Sequence, residues 1–123
     1  MSSTVGTITA TGAIQSTSTV TGVAGLKAGS DGTTLTTIIK GSFTIDAADL
    51  ASVTAVDESV TISGVAVGDI LIVNPPATAL TAGMLVCQAW VSATDTIKFR
   101  LYNASGGAIN LASASWNYTI IRS

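Results

Sequence analysis

The sequence predicts an all-β protein: an antiparallel β-sandwich or small jelly roll with an extended N-terminal arm. Short segments of alternating apolar and polar residues recur along the chain, and residues that favour turns separate them. No segment has the periodicity of a convincing amphipathic helix. Regularly spaced short strands are typical of sandwiches and jelly rolls. We expect residues 1–33 to form the arm and a linker, and residues 34–123 to form the sandwich domain.

The arm is set apart by its composition. Residues 1–26 have no charged side chain and are mostly Ser, Thr, Gly and Ala with a few larger apolar residues. The pattern T-x-T-x-T-G begins at Thr7 and again at Thr17. Alternation of this kind favours extended structure, although plain Thr-rich low complexity is an alternative interpretation. If the arm pairs with another sheet, the side chains expected to make the contact are Ile8, Ile14, Val20 and Val23.

The domain is predicted to begin with a strand in LTTIIKGSFTID, after the turn-rich linker KAGSDGTT. The alternation of this strand places Ile39, Phe43 and Ile45 on one face. Residues 47–58 read as a longer connection with room for one helical turn, and SVTIS reads as a short strand before the glycine turn GVAVGD.

DILIVNPP is apolar on both faces, which predicts a central strand that the two prolines end. LVCQAWVSA is the next predicted strand, and Cys87 within it is expected to be a buried small apolar residue.

The last two predicted strands alternate most clearly. TIKFRLYN places Ile97, Phe99 and Leu101 on one face and leaves Tyr102 on the polar face, where we expect it to be partly exposed. The polar face is expected to be a solvated structural surface, because the stems of Lys and Arg can cover apolar ground while their charges stay in water. SWNYTIIR places Trp116, Tyr118 and Ile120 on one face, and both Trp90 and Trp116 are expected to pack in the core.

Sparse charge bounds the possible partners. Only 10% of the residues are charged and the net charge is −2, without clustered Lys or Arg, so a nucleic-acid surface is not expected. A soluble monomer would have roughly a quarter of its residues charged. The low charge beside 47% hydrophobic residues therefore predicts an oligomer. The chain also lacks the long apolar run of a membrane span and the pattern of a signal peptide, so no membrane contact is expected.

Few residues could carry chemistry. The chain has no histidine and one cysteine, so neither a histidine-based catalytic site nor an internal disulfide is expected. A weak carboxylate pattern for calcium is outweighed by turn and capping roles; its members are Asp46, Asp49, Asp57 and Glu58. We expect no enzyme activity, cofactor, metal or small-molecule substrate. The two glycosylation sequons, at Asn103 and Asn117, are interpreted as chance occurrences in a chain rich in Ser and Thr.

The order of features from Ser59 onward resembles a known group of proteins. VTISGVAVGDILIVNPP is followed by LTAGMLVCQAWVSATDTIKFRLYNASGGAINLASASWNYTIIR, with GTTLTTIIKGSFTID matching more loosely before them. This succession of strands and turns is similar to small accessory virion proteins of tailed bacteriophages, of the head decoration (cement) or head-fibre type. The similarity is one of pattern and includes no catalytic motif.

The resemblance implies a structural role at the capsid surface of the virion. Such proteins commonly form homotrimers and bridge neighbouring capsid subunits, so the expected partners are other copies of this chain and the major capsid protein or another virion protein. The alternative is a carbohydrate-binding or host-adhesion module of a head fibre or tail spike. Adhesion predicts exposed Trp or Tyr in a shallow groove, whereas a cement protein predicts buried aromatic residues.

Overall fold

A computed structural model of the protein describes residues 11–13, 25–76 and 80–123. Six β-strands and no helix lie within these ranges, which confirms the predicted all-β class. The strands are β1 (Thr37–Ile45), β2 (Thr54–Thr61), β3 (Ile70–Asn74), β4 (Met84–Ala93), β5 (Thr96–Asn103) and β6 (Ala114–Arg122). None of the described residues belongs to a helix that could span a bilayer.

The strands form two antiparallel sheets that pack face to face as a β-sandwich. The first sheet has the order β1-β6-β3 and the second has the order β2-β5-β4. Aromatic rings join the two layers, because Phe99 of the second sheet lies against Phe43 and Trp116 of the first. The ring centroids are 5.7 Å apart for Phe43 and 5.1 Å apart for Trp116.

Alternation along the central strands decides which side chains enter the core. In β5, Ile97, Phe99 and Leu101 are buried, and the residues between them are half-exposed. In β6, Trp116 and Ile120 are buried in the same manner. The predicted inner faces of both strands are confirmed, as is the predicted inner face of β1, whose odd-numbered residues are the less exposed ones.

Two strands differ from the sequence prediction. β2 starts at Thr54, so the second half of the expected connection at 47–58 is strand and the described residues there contain no helical turn. The reason is long-range, since β2 pairs with β5 along its whole length. The segment DILIVNPP contains an edge strand rather than a central one, because β3 pairs only with β6.

The linker is closed on itself before β1 begins. Leu26 and Leu35 exchange two backbone hydrogen bonds of 2.8 Å, and the intervening residues form the predicted turn. The predicted arm contacts Ile8, Ile14, Val20 and Val23 lie outside the described residues. The division at residue 33 therefore stays a prediction.

Candidate functional site

The outer face of the first sheet carries a cluster of isoleucines, which we call the isoleucine face. It consists of Ile38 on β1, Ile121 on β6, and Ile70 and Ile72 on β3. The register places Ile38, Ile121 and Ile70 side by side in one row across the three strands. Ile38 and Ile70 are each 61% exposed and Ile72 is 48% exposed.

The rows beside these isoleucines are almost free of charge. Next along the strands comes the row Lys40, Thr119 and Ile72, followed by the row Ser42, Asn117 and Asn74. Lys40 is the one charged side chain among the described residues that point outward from this sheet. In a sheet with one solvated face, each strand normally places apolar residues on the core side and polar residues on the solvent side. This face instead exposes β-branched apolar side chains, which is the usual mark of a surface that another molecule covers.

The outer face of the second sheet has the opposite character. Arg100 of β5 donates from Nε to Asp57 Oδ1 at 2.6 Å and from Nη2 to Asp57 Oδ2 at 2.9 Å. This hydrogen-bonded pair, together with the charge of Arg100, holds the pKa of the Asp57 carboxyl below its usual value. The Arg100 guanidinium also lies 5.8 Å from the ring centroid of Trp90. We call this surface the charged face.

Two residues of β4 lie on the charged face rather than in the core. Trp90 pairs with Lys98, whose side chain points outward, so the prediction that both tryptophans are buried is wrong for Trp90. Cys87 is exposed, and the prediction of a buried thiol is also wrong. Cys87 faces outward because it follows the inward-facing Met84 and Val86, and the register irregularity between Val86 and Gln88 then shifts the alternation so that Trp90 also faces outward.

An ion pair ties the C-terminal strand to the β2–β3 connection. Arg122 donates from Nε and Nη2 to the two oxygens of Asp69, both at 2.6 Å, and from Nη2 to the carbonyl of Gly64 at 2.9 Å. Asp69 also accepts from the backbone N–H of Ala66 at 2.9 Å. The Asp69 side chain is 3% exposed, and its pairing with Arg122 lowers its pKa. Through these hydrogen bonds the carboxylate joins the end of β6 to the turn before β3.

The first sequon asparagine is a buried structural group. Asn103 donates from Nδ2 to the carbonyls of Leu50, Ala51 and Gly107, and its Oδ1 accepts from the backbone and hydroxyl of Ser105. With its side chain fully buried, Asn103 fastens the loop after β5 to the segment before β2. Sequence reasoning treated this residue only as a sequon, since the carbonyls that it binds come from distant positions.

Two of the four carboxylates considered for calcium make hydrogen bonds within the protein. Asp57 pairs with Arg100, and Glu58 accepts from the backbone N–H of Ala48 at 2.7 Å. Within residues 11–13, 25–76 and 80–123, no three acidic, histidine or cysteine side chains come together as metal ligands would. The weak carboxylate pattern therefore does not correspond to an assembled site in this part of the chain.

A cleft of about 380 Å³ opens beside the buried indole of Trp116. Its described lining contains no side chain that could donate or accept a proton near neutral pH; the lining residues are Pro76, Leu80, Thr81, Asn110, Leu111, Ala112, Ser113, Ala114 and Trp116. The cleft offers small polar groups and backbone, but no acid–base pair for catalysis.

Comparisons with known proteins add no assignment. No protein-family model matches the chain, and no curated protein or solved structure matches it. The isoleucine face is therefore the strongest candidate for a functional surface, on physical grounds alone.

Proposed function

We propose that this protein is a structural virion protein of a tailed bacteriophage, a capsid decoration (cement) subunit that bridges capsid subunits and stabilises the head. The observation that carries the proposal is the isoleucine face, an exposed and nearly uncharged sheet surface. The succession of strands and turns from Ser59 onward, which resembles head decoration and head-fibre proteins, supplies the biological setting.

The energetics of the isoleucine face support an assembly role. Burial of apolar surface stabilises a contact by about 25 cal/mol per Å². Four β-branched side chains held on three hydrogen-bonded strands lose little conformational freedom when a partner covers them. A protein partner of matching shape removes these side chains from water and so gains this stabilisation.

Lattice repetition strengthens contacts that are individually modest. A decoration subunit that binds as an oligomer engages several capsid sites at once, and each further contact forms at a high effective concentration. In this proposal the isoleucine face joins subunits to each other, and the uncharged N-terminal residues 1–26 supply the contact with the capsid, with Ile8, Ile14, Val20 and Val23 as the docking side chains. The family resemblance favours a homotrimer as the bound form.

The proposal needs no catalytic step. The chain has no histidine, and the described lining of the cleft beside Trp116 has no titratable side chain. The residues that carry charge in pairs, Asp57 with Arg100 and Asp69 with Arg122, bond to each other and stabilise the fold.

The test is direct addition of the purified protein to phage heads that lack decoration. We expect saturable binding at a fixed ratio to the major capsid protein, together with a higher temperature of head disruption. A control with bovine serum albumin at the same concentration should show neither effect. Absence of saturable binding to decoration-free heads from several tailed phages would contradict the proposed function.

A carbohydrate-binding or host-adhesion module is the second candidate, and one observation favours it. Trp90 and Tyr102 are half-exposed on the charged face, beside the Arg100–Asp57 pair. Sugar rings stack on such aromatic side chains, and neighbouring charged groups bond their hydroxyls. Glycan-array binding that is lost in Trp90→Ala would support this candidate, and binding to undecorated heads that Trp90→Ala leaves unchanged would support the first.

A further inference from the structure

We infer that the isoleucine face binds the same face of a second copy of this chain, with a twofold axis that runs along β6. This inference rests on the proposed assembly function and names a second copy of the chain as the partner of the isoleucine face. The twofold pair takes the place, at this face, of the homotrimer that the family resemblance implies. It follows from the register of the first sheet, which makes the face complementary to itself.

The order of the strands gives the first sheet an approximate left–right symmetry. β6 is central, and β1 and β3 flank it on either side. When a second sheet is laid face to face on the first by rotation about the β6 direction, β1 of one copy lies over β3 of the other. Residues on one row then meet the residues of the same row, because the rotation preserves position along the strands. Sheets that pack in this manner keep their strand directions within about 30° of each other.

The first row pairs isoleucine with isoleucine in this arrangement. Ile38 of one copy lies over Ile70 of the other, and the two Ile121 side chains meet at the axis. The contact between Ile38 and Ile70 occurs twice because of the symmetry. The most exposed apolar side chains of the sheet are thereby covered by side chains of the same kind.

The second row covers its isoleucine with the stem of a lysine, and the third row pairs polar side chains with each other. In the second row Lys40 lies over Ile72 of the other copy, so its apolar stem covers that side chain while its ammonium group extends to the rim. The two Lys40 residues fall on opposite sides of the axis, and their charges do not meet. In the third row Ser42 lies over Asn74, and the Asn117 side chains meet at the axis, where amides can bond to each other.

Rotation about the perpendicular direction in the interface gives a poorer match. With the axis on the first row, it stacks each isoleucine of that row on the same residue of the other copy but leaves Ile72 and Lys40 beyond the contact. With the axis midway between the first two rows, it lays Ile70 over Ile72 but places Ile121 over Thr119 and Ile38 over Lys40. Only the arrangement along β6 places every isoleucine of the first row over an isoleucine and also covers Ile72, with the stem of Lys40.

The size of the face predicts a contact of moderate strength. Three strands spaced about 4.8 Å apart, with a length of roughly 30 Å for the nine residues of β6, outline a surface of about 400 Å² in projection. This is about half of the roughly 800 Å² per partner that a standard specific interface buries, so the contact should be weaker than a standard one. We therefore expect a dissociation constant in the micromolar range.

The asymmetry between the sheets explains why this face, and not the other, joins two copies. The charged face keeps Asp57, Lys98 and Arg100 solvated, and burying their charges in an interface would oppose association. The isoleucine face has only Lys40, at its edge strand. The sequence of β3 is apolar on both faces, which is typical of a strand buried on both faces. The second copy buries the outer face of β3, and the second sheet of the same chain buries its inner face.

Sedimentation of the purified full-length chain from about 1 to 200 µM tests the inference without phage heads, so its result is independent of whether the protein decorates capsids. We expect a monomer–dimer equilibrium. Ile70→Lys should raise the dissociation constant at least about tenfold, which corresponds to about 1.4 kcal/mol. The matched control is Leu85→Lys, which introduces the same charge at a side chain that is 52% exposed on the charged face, and it should leave the equilibrium unchanged.

A double-variant comparison tests the register itself. Ile38→Glu with Ile70→Lys places opposite charges against each other across the axis, whereas Ile38→Lys with Ile70→Lys places like charges there. The first pair should dimerise at least about tenfold more tightly than the second, a difference of about 1.4 kcal/mol. Attraction between the two positions within one copy is present in monomer and dimer alike, so it does not affect the comparison. Circular dichroism and thermal unfolding should show that all variants fold.

Several results would overturn the inference. A full-length chain that stays monomeric throughout the concentration range would show that the face is free or is covered by the chain's own N-terminal residues. A dimer or trimer that Ile70→Lys does not weaken would place the contact elsewhere. Equal affinities for the like-charge and opposite-charge double variants would refute the twofold register.

Discussion

At the scale of single residues, the stability of this protein depends on a few polar side chains with many partners. Asn103 bonds three carbonyls and one serine, while Asp69 bonds an arginine and a backbone N–H. Buried polar groups of this kind stabilise a fold only when all their partners are present. Their removal leaves carbonyls or charges without partners inside the protein.

Asn103→Ala should lower the free energy of unfolding by about 2–4 kcal/mol, because three backbone carbonyls lose a buried donor. Urea unfolding followed by tryptophan fluorescence measures the change. The matched control is Asn110→Ala, at an exposed position between β5 and β6, and its effect should stay within about 0.5 kcal/mol. Equal small effects at both asparagines would show that the loop is not held by Asn103.

Asp69 should give the protein an acid-sensitive component of stability. Its folded pKa lies below the ordinary value of 3.8 because Arg122 pairs with the carboxylate. The folded state therefore binds this proton less readily than the unfolded state. The stabilisation is fully present above about pH 4 and is lost as the pH falls through the lower, folded pKa.

Thermal unfolding between pH 2 and pH 7 measures this component. Asp69→Asn should lower the melting temperature at pH 7, and the difference from the native protein should shrink as the pH falls below about 4. Asp31→Asn, at an exposed position in the linker, is the control and should leave the profile unchanged. A difference between Asp69→Asn and the native protein that is constant with pH would contradict the role of the ion pair.

At the scale of elements, each strand is divided between an inner and an outer face by its alternation. The inner faces of β5 and β6 meet through Phe99 and Trp116. The outer faces of the same strands carry Arg100 and Asn117. Substitutions on the two faces should therefore differ in effect, although they lie next to each other in sequence.

Phe99→Ala and Trp116→Ala should each lower the free energy of unfolding by about 3–5 kcal/mol, which is a large share of the total of about 5–15 kcal/mol for a small domain. Chemical denaturation measures the loss in the free energy of unfolding. A variant that is already unfolded at 37 °C also meets the prediction. Lys98→Ala on the outer face of β5 is the control and should change stability by less than about 0.5 kcal/mol. Melting temperatures close to the native value for both aromatic variants would mean that the core is elsewhere.

Removal of residues 1–26 should separate folding from docking. All six described strands lie after this segment, so a chain that begins at Lys27 should keep its strand content by circular dichroism. If the arm docks on the capsid, the shortened chain should bind undecorated heads at least about tenfold more weakly, because part of a multivalent contact is lost. Full occupancy by the shortened chain would move the docking contact to the sandwich, and loss of folding would make residues 1–26 part of the core.

At the scale of the whole molecule, the two sheets present unlike surfaces to the surroundings. One face holds charged side chains in water, and the other exposes isoleucines beside uncharged polar residues. A sandwich with this asymmetry is suited to bind protein on one side and stay solvated on the other. Self-association through the apolar side should then contribute to measured stability.

The melting temperature should rise with protein concentration, since an association that only folded chains can make stabilises them by mass action. Between about 2 and 200 µM we expect a gain of several degrees, as about 1 kcal/mol shifts the melting temperature of a domain of this size by roughly 4 °C. In Ile70→Lys the melting temperature should be independent of concentration. A native protein whose melting temperature is also independent of concentration would contradict association through this face.

The sequence was sufficient for the fold class and for the inner faces of the regular strands. Alternation with a period of two is a local property, and in β1, β5 and β6 it places Phe43, Phe99 and Trp116 on the faces that the structure buries. Turn residues likewise marked the GVAVGD turn and the end of β3 at the prolines. These features need no knowledge of distant parts of the chain.

Only the tertiary structure decided which strand lies at an edge and which polar groups are buried. β3 is apolar on both faces, yet pairing with β6 alone places it at an edge, where Ile70 and Ile72 stay exposed. The irregularity at Cys87 and the outward position of Trp90 depend on pairing between β4 and β5. Asn103 finds its partners at Leu50 and Ala51, more than fifty residues away. Alternation determines the two faces of a strand, but contacts between distant segments determine what covers each face.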